Sequence, residues 1–270
     1  MTLDLKSVHR EVTPLMARAE KLAVKYFYQG IKKEFKPRES ISTSVVTQAD
    51  RDIEKLFKTE LKQKFPQVGF VGEETAKVNL KEYNWVIDPI DGTYNFANRV
   101  PVFAISLGLW HFNQPVYTMI SLPIQKEVFY ATASGGVFKN NHPIKPRRQA
   151  KLPRQLFATY TGVGANSLKL KLFEAIGQVA VFPRYYGCTV SDGVMAVMGR
   201  SHVALMVNQG IWDIGGILLL AYETDTYVEF ISPPPDFSRK NIKDTEFTLV
   251  MGHKELAQKL ARKIRPILAQ

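Results

Sequence analysis

Two aspartates three positions apart, Asp88 and Asp91, close the apolar run Trp85-Val86-Ile87, with Pro89 between them and Gly92-Thr93 directly behind. Carboxylates at a set separation are hard oxygen ligands of the kind Mg²⁺ takes, and Mg²⁺ shares its shell with substrate phosphates. Pro89 fixes its own φ and biases Asp88 towards an extended backbone, which makes the spacing of the acids stiff. Gly92 lets the backbone come close to a ligand, and the amides of a turn capped by Thr93 form a seat for a phosphate. The same D-P-x-D-G string also describes an ordinary turn, because Asp, Pro and Gly each favour turns for reasons of their own. A metal site therefore needs further acids.

Those acids stand at the ends of other elements. Val68-Gly69-Phe70-Val71 is a short apolar strand that ends in Gly72 and the pair Glu73-Glu74, about fifteen residues before Asp88. Asp50 opens a helix whose face carries Ile53, Leu56, Phe57 and Leu61. Its spacing from Thr47 is that of a capping box, with Asp in place of the usual Glu, so on spacing alone a helix-start carboxylate is the commoner role for it. Asp213 follows the strand-like run 202–207 at another strand-to-helix junction, where an N-cap is the commoner duty. Glu73-Glu74 on an exposed loop would merely be solvated.

The supporting elements are legible from periodicity. Val8, Val12, Leu15, Met16, Ala19, Leu22, Ala23 and Tyr26 recur at helical spacing and predict an amphipathic helix over 8–27 that ends at Gly30. Lys32–Ser44 is polar, contains Pro37 and reads as a mobile loop or hairpin edge. Trp85–Ile87 reads as a buried strand that stops where Pro89 withholds a ladder donor. Strands over 102–110 and 116–122 turn at Asn113-Gln114-Pro115; a second pair over 127–132 and 136–139 is followed by a turn at Asn140-Asn141. Together they predict an antiparallel meander. Lys145–Arg154, basic and broken by Pro146 and Pro153, divides the chain into subdomains over 1–145 and 146–270. Thr161-Gly162-Val163-Gly164 reads as a loop before a helix over 168–176, and Val194–Met198 as another helix. Pro233–Pro235 forms a loop, Phe247–Met251 a strand, and Leu256, Ala257, Leu260, Ala261 and Ile264 the core face of a terminal helix.

Bulk properties narrow the function. At 270 residues, 45% hydrophobic and 23% charged, the chain is an ordinary globular one with room for a large core. Its longest apolar run, Val100–Trp110, is too short to span a bilayer, and Met1–Arg10 has no continuous apolar segment, so neither a membrane span nor a signal peptide is expected. The single Cys188 fits a reducing cytoplasm. A net charge of +11 asks for an anionic partner, but Lys and Arg are scattered and form no basic stripe with aromatics, which favours a small phosphorylated substrate over nucleic acid. The five histidines are dispersed and no second cysteine exists, so zinc spacing is absent, as are a G-x-S-x-G elbow and a P-loop. Acids are the one clustered chemical resource.

Val71-Gly72-Glu73-Glu74, Trp85–Thr93 and Trp212-Asp213 resemble, in order and spacing, the three signatures of the inositol monophosphatase family of Mg²⁺-dependent phosphatases. The likeness extends to the V-T-x-x-D entry at Asp50, the G-G-V-F-x-N-N hairpin at Gly136 and the ending over 247–264. It implies an α+β fold, the layered α-β-α-β-α sandwich shared with fructose-1,6-bisphosphatases, commonly a homodimer. Carried over by position, it implies that Glu73, Asp88 and the Ile90 carbonyl hold one Mg²⁺, and Asp88, Asp91 and Asp213 a second. Gly92 and Thr93 would offer amides to the phosphate, while Thr93, Asp50 and Glu73 would steady and deprotonate the attacking water. The substrate would lie against Asp91, Gly92, Thr93, Gly187, Cys188, Met206 and Asp213, although Cys188 is also the type of residue that serves as a buried structural thiol.

Two departures bear on the substrate. Met206 occupies the position where inositol-selective members carry a glutamate for the ring hydroxyls, and a thioether does not replace two strong acceptors. Gly215-Gly216 replaces a small pair containing alanine, and the glycine pair usual after the next helix is absent at Glu223-Thr224-Asp225. Inositol monophosphate is thus the family default, beside histidinol phosphate, fructose 1,6-bisphosphate and 3′-phosphoadenosine 5′-phosphate. Bacterial relatives that assist transcription antitermination supply a different class, a protein or RNA binder. The intact acid set favours catalysis, with inhibition by lithium as a family trait.

Overall fold

The computed structural model describes residues 3–30, 34–35, 45–75, 78–145, 156–162, 164–180, 182–239 and 241–269. The loop expected within 32–44, its mobility, and the boundary tract expected over 145–154 lie outside these, apart from Lys145 and the two-residue strand β1 (Glu34–Phe35), which pairs with β2 (Val45–Val46).

The amphipathic helix α1 spans Leu5–Gln29. Asp4 caps it by accepting from the amides of Lys6 and Ser7, and Gly30 ends it at φ +77°. Helix α2 (Gln48–Lys64) lies beside it. The first sheet has seven strands in chain order, β3 (Gly69–Gly72), β4 (Tyr83–Asp91), β5 (Ala104–His111), β6 (Gln114–Leu122), β7 (Glu127–Thr132), β8 (Gly136–Lys139) and β9 (His142–Ile144). The pair β3 and β4 is parallel, and the remaining pairs are antiparallel. Helix α3 (Thr93–Ala97) leaves the end of β4.

A second sheet is built from β10 (Phe157–Gly162), β11 (Phe182–Arg184), β12 (Val203–Gln209), β13 (Tyr227–Phe230) and β14 (Phe247–Gly252), in the order β11-β10-β12-β14-β13. Strands β10 and β11 run parallel, as do β10 and β12, whereas β14 runs antiparallel to both its neighbours. The remaining helices are α4 (Asn166–Gly177), α5 (Thr189–Val197), α6 (Ile211–Gly215), α7 (Ile217–Glu223) and α8 (Lys254–Leu268).

Side-chain alternation along the strands produces the layers. Trp85 and Ile87 of β4 join Leu107, Leu109 and Met119 in a core with Val12, Ala19, Ile53 and Phe57 of α1 and α2. Val86, on the other face, joins Ile120 and Phe129 in a second core with α5, α6 and α7 and with Ala204, Met206 and Leu249 of the five-stranded sheet. The outer face of that sheet, with Val203, Leu205 and Val250, packs on Leu172 of α4 and Leu260 of α8. The order is α-β-α-β-α, the layered sandwich expected from the resemblance. No helix among the described residues is long and apolar enough to cross a membrane.

Several boundaries differ from the sequence reading. Strand β4 does not stop at Pro89 but continues to Asp91, because the proline sits at an irregularity where no ladder donor is required. Gln114 and Pro115 belong to β6, and the turn is made by Phe112, at φ +50°, with Asn113. Thr161 and Gly162 end strand β10 rather than forming a loop, and α5 begins at Thr189, not near Val194. Strands β9, β11 and β13 are short or lie at a sheet edge and carry no alternation strong enough to announce them.

Candidate active site

On a regular strand, residues 88 and 91 would point to opposite faces, since side chains alternate with period two. The pairing of β4 with β5 breaks that rule. Asp88 lies opposite Ser106 and Asp91 opposite Ala104, so three steps along β4 are matched by two along β5. One extra residue is accommodated as a bulge at Pro89-Ile90. Carboxylate oxygens of Asp88, Asp91 and Asp213 consequently lie within 4.8 Å of one another, and those of Asp50, Glu73 and Glu74 form a second such group.

Each acid is aimed by its own element. The parallel register of β3 and β4 sets Gly72 beside Ile87, and the Glu73 amide reaches the Ile87 carbonyl at 3.3 Å, which brings the Glu73-Glu74 turn alongside Asp88. A Cβ at Gly72 would displace the carboxylate of Glu54 from its place. That carboxylate accepts from the Glu74 amide at 2.8 Å and the Thr75 hydroxyl at 2.6 Å. Asp50 closes the start of α2 and also faces Thr93. One oxygen caps α2 by accepting the Thr47 amide at 2.8 Å, and the other lies 3.2 Å from the Thr93 hydroxyl. Asp213, the third residue of α6, accepts the Gly210 amide at 2.6 Å. Asp91 accepts the Val190 amide at 2.7 Å and the Cys188 thiol at 2.8 Å.

The turn after Asp91 is equally constrained. Gly92 adopts φ +83°, and a Cβ there would lie 3.0 Å from the Val102 carbonyl and 3.2 Å from Cys188. The Thr93 hydroxyl reaches back to the Ile90 carbonyl at 2.9 Å, leaving that oxygen a second lone pair. Asn95 ties α3 to the opposite segment through the carbonyls of Val102, at 2.9 Å, and Tyr186, at 2.6 Å. Gly187 follows at φ +70°. Cys188 and Met206 are fully buried, the thioether in the core between the sheets.

Concentrating carboxylates out of water raises the cost of their charge. Burial first, then repulsion from Glu73, Asp91, Asp213 and Asp50, drives the Asp88 carboxyl well above the ordinary range. Burial, Asp91 and Glu73 do the same to Asp213. Asp91 is raised less, because the thiol and the amides of Val190, Thr189 and Gly92 offset its burial. Asp88 Oδ1 is buried and accepts no hydrogen bond. An orphaned buried oxygen among three hard carboxylates fits a divalent cation, which would satisfy the lone pair and offset the repulsion together.

Glu54 and Lys243 are absent from the sequence reading. Glu54 carried a signal, a charge on the apolar face of α2 four residues after Asp50; Lys243 carried none.

The model of the inositol monophosphatase family matches residues 5–263. An inositol-1-monophosphatase of Rhizobium meliloti is 31% identical over 184 residues, covering 66% of this chain and 69% of that protein. The Nus factor SuhB of Xylella fastidiosa is 28% identical over 182 residues, covering 66% of each. Among solved structures, an IMPase/NADP phosphatase complexed with Mg²⁺ and phosphate superposes with a TM-score of 0.80 at 17% identity, covering 96% of this chain and 95% of that one. With its layered fold and a family match over nearly its whole length, the chain belongs to the inositol monophosphatase family.

Proposed function

We propose that this protein is a Mg²⁺-dependent phosphomonoesterase that releases phosphate from a small polyol or sugar phosphate. The observation that carries the reading is the convergence of Asp88, Asp91 and Asp213 around a buried, unpartnered oxygen of Asp88. Glu73, Asp88 and the Ile90 carbonyl would hold one ion, and Asp88, Asp91 and Asp213 another. Bound there, Mg²⁺ supplies charge neutralisation to the phosphoryl oxygens and acidifies water. The chain supplies the rest. Amides of Gly92 and Thr93 bind phosphate oxygens, the Thr93 hydroxyl orients the nucleophilic water, and Asp50 or Glu73 takes its proton. The Thr93–Asp50 contact of 3.2 Å already aligns two of these groups. Fully buried Met206 offers the substrate no acceptor, which favours breadth over selectivity for inositol.

Phosphate release from inositol 1-phosphate, histidinol phosphate, fructose 1,6-bisphosphate, 3′-phosphoadenosine 5′-phosphate and glycerol 2-phosphate tests the reading, with Asp91→Asn as control. Mg²⁺-dependent turnover lost in the variant supports it. Absence of turnover, together with RNA or protein capture, favours the second reading, a binding protein, which rests on the similarity to the Nus factor and the charge of +11. The same proposal makes the enzyme a cytoplasmic homodimer, testable by fractionation and sedimentation velocity.

A further inference from the structure

Lys243 stands on a single 3₁₀ turn, Ile242–Asp244, anchored by Ile242 in the core between the sheets. Its ammonium donates to the backbone carbonyl of Glu73 at 3.1 Å and to that of Thr75. The same nitrogen lies over the ring of Trp212, 5.9 Å from its centroid. Glu73 follows β3 of the seven-stranded sheet, whereas Asp213, the residue after Trp212, belongs to α6 of the middle layer. One cation therefore touches both of the segments that deliver them.

The geometry points to Lys243 as a positioning residue for the acid set, a role that rests on the metal-dependent reading above. Glu54 grips the Glu73–Thr75 turn from the α2 side through the Glu74 amide and the Thr75 hydroxyl. Lys243 grips the same turn from the five-stranded side through two carbonyls. Held by both, the backbone from which the Glu73 carboxylate departs has little freedom to rotate. The ring contact then fixes Trp212, and with it the first turn of α6, against that backbone. A lysine suits this task because it has three donors on a compact head and no acceptor, so it binds carbonyls and a ring face at once. Groups that orient metal ligands typically change metal affinity by 10–100-fold when removed.

The test is a calorimetric Mn²⁺ titration of the full chain as wild type, Lys243→Met and Lys243→Arg, with Asp88→Asn as the control that identifies the site. We expect the Kd to rise about tenfold in Lys243→Met and to return most of the way in Lys243→Arg, which keeps charge and donors. An unchanged Kd in a Lys243→Met protein that is folded by circular dichroism overturns the positioning role and leaves the functional reading intact. If wild type shows no Mn²⁺ binding that Asp88→Asn abolishes, the functional reading fails and takes this inference with it. Should Lys243→Met not fold, Lys243→Gln, which keeps a donor without the charge, is judged by the same criterion.

Discussion

The Cys188 thiol donates to Asp91 across 2.8 Å, from the residue that caps α5 to the last residue of β4. Burial and the neighbouring carboxylate both push the thiol well above its ordinary pKa, so it is held as the protonated donor. As the chain's one cysteine, it gives an unambiguous readout. The native protein should react with no equivalent of a thiol reagent and the unfolded protein with one, while Cys188→Val should reduce Mg²⁺-dependent turnover by about tenfold, as for an outer partner of a metal ligand.

Asp88→Asn removes an acid opposed by burial and by Glu73, Asp91, Asp213 and Asp50. In chelator, the variant should melt above wild type, because a buried like charge is gone. With Mg²⁺ the order should reverse. Wild type gains about 2.7 kcal/mol at a hundred times its Kd, and the variant gains little. Differential scanning fluorimetry in both conditions measures this, and turnover should fall by more than about a hundredfold, exceeding the effect of an outer partner.

Gly92→Ala should cost about 1–2 kcal/mol from the left-handed backbone alone. Its Cβ would also crowd Val102 and Cys188. Urea unfolding reads the stability, and phosphate affinity should weaken with it because the amide turn is displaced.

Asp192, in the first turn of α5, is buried with Thr161 as its hydrogen-bond donor, and burial raises its carboxyl to about 8. The unfolded chain releases that proton near 3.8 and the folded chain only near 8, so between those values the folded state binds more protons. Stability of the chelated protein should therefore fall as pH rises from about 4 to 8. Asp192→Asn should flatten that slope in urea titrations across the range.

The acids were legible because most of them stand where a strand or helix begins or ends, with Asp88 just ahead of the proline inside β4, and their types admit few other chemistries. Their convergence was not. Residues three apart on a strand diverge unless the partner strand forces a bulge, and the register of β4 against β5 depends on residues a dozen or more positions away. The edge strands escaped notice for a related reason, since a two- to four-residue segment gains its conformation from the neighbour it pairs with rather than from its own pattern. Lys243 lay beyond reach altogether, because its partners are backbone carbonyls, which no side-chain motif records.

The acids gathered where the seven-stranded sheet meets α6 also bear on the mechanical character of the molecule. Asp88 and Asp91 belong to the seven-stranded sheet, Asp213 to a helix leading out of the five-stranded one. Apolar packing presses these two halves together, and mutual repulsion of the carboxylates presses them apart at one seam. A counter-ion held there, as proposed, would turn that seam into a rivet through the sandwich. Cation supply would then govern how readily the halves breathe, and amide exchange around 72–75 and 212–215 should slow together when Mg²⁺ is added, a stiffening that reaches well past the site itself.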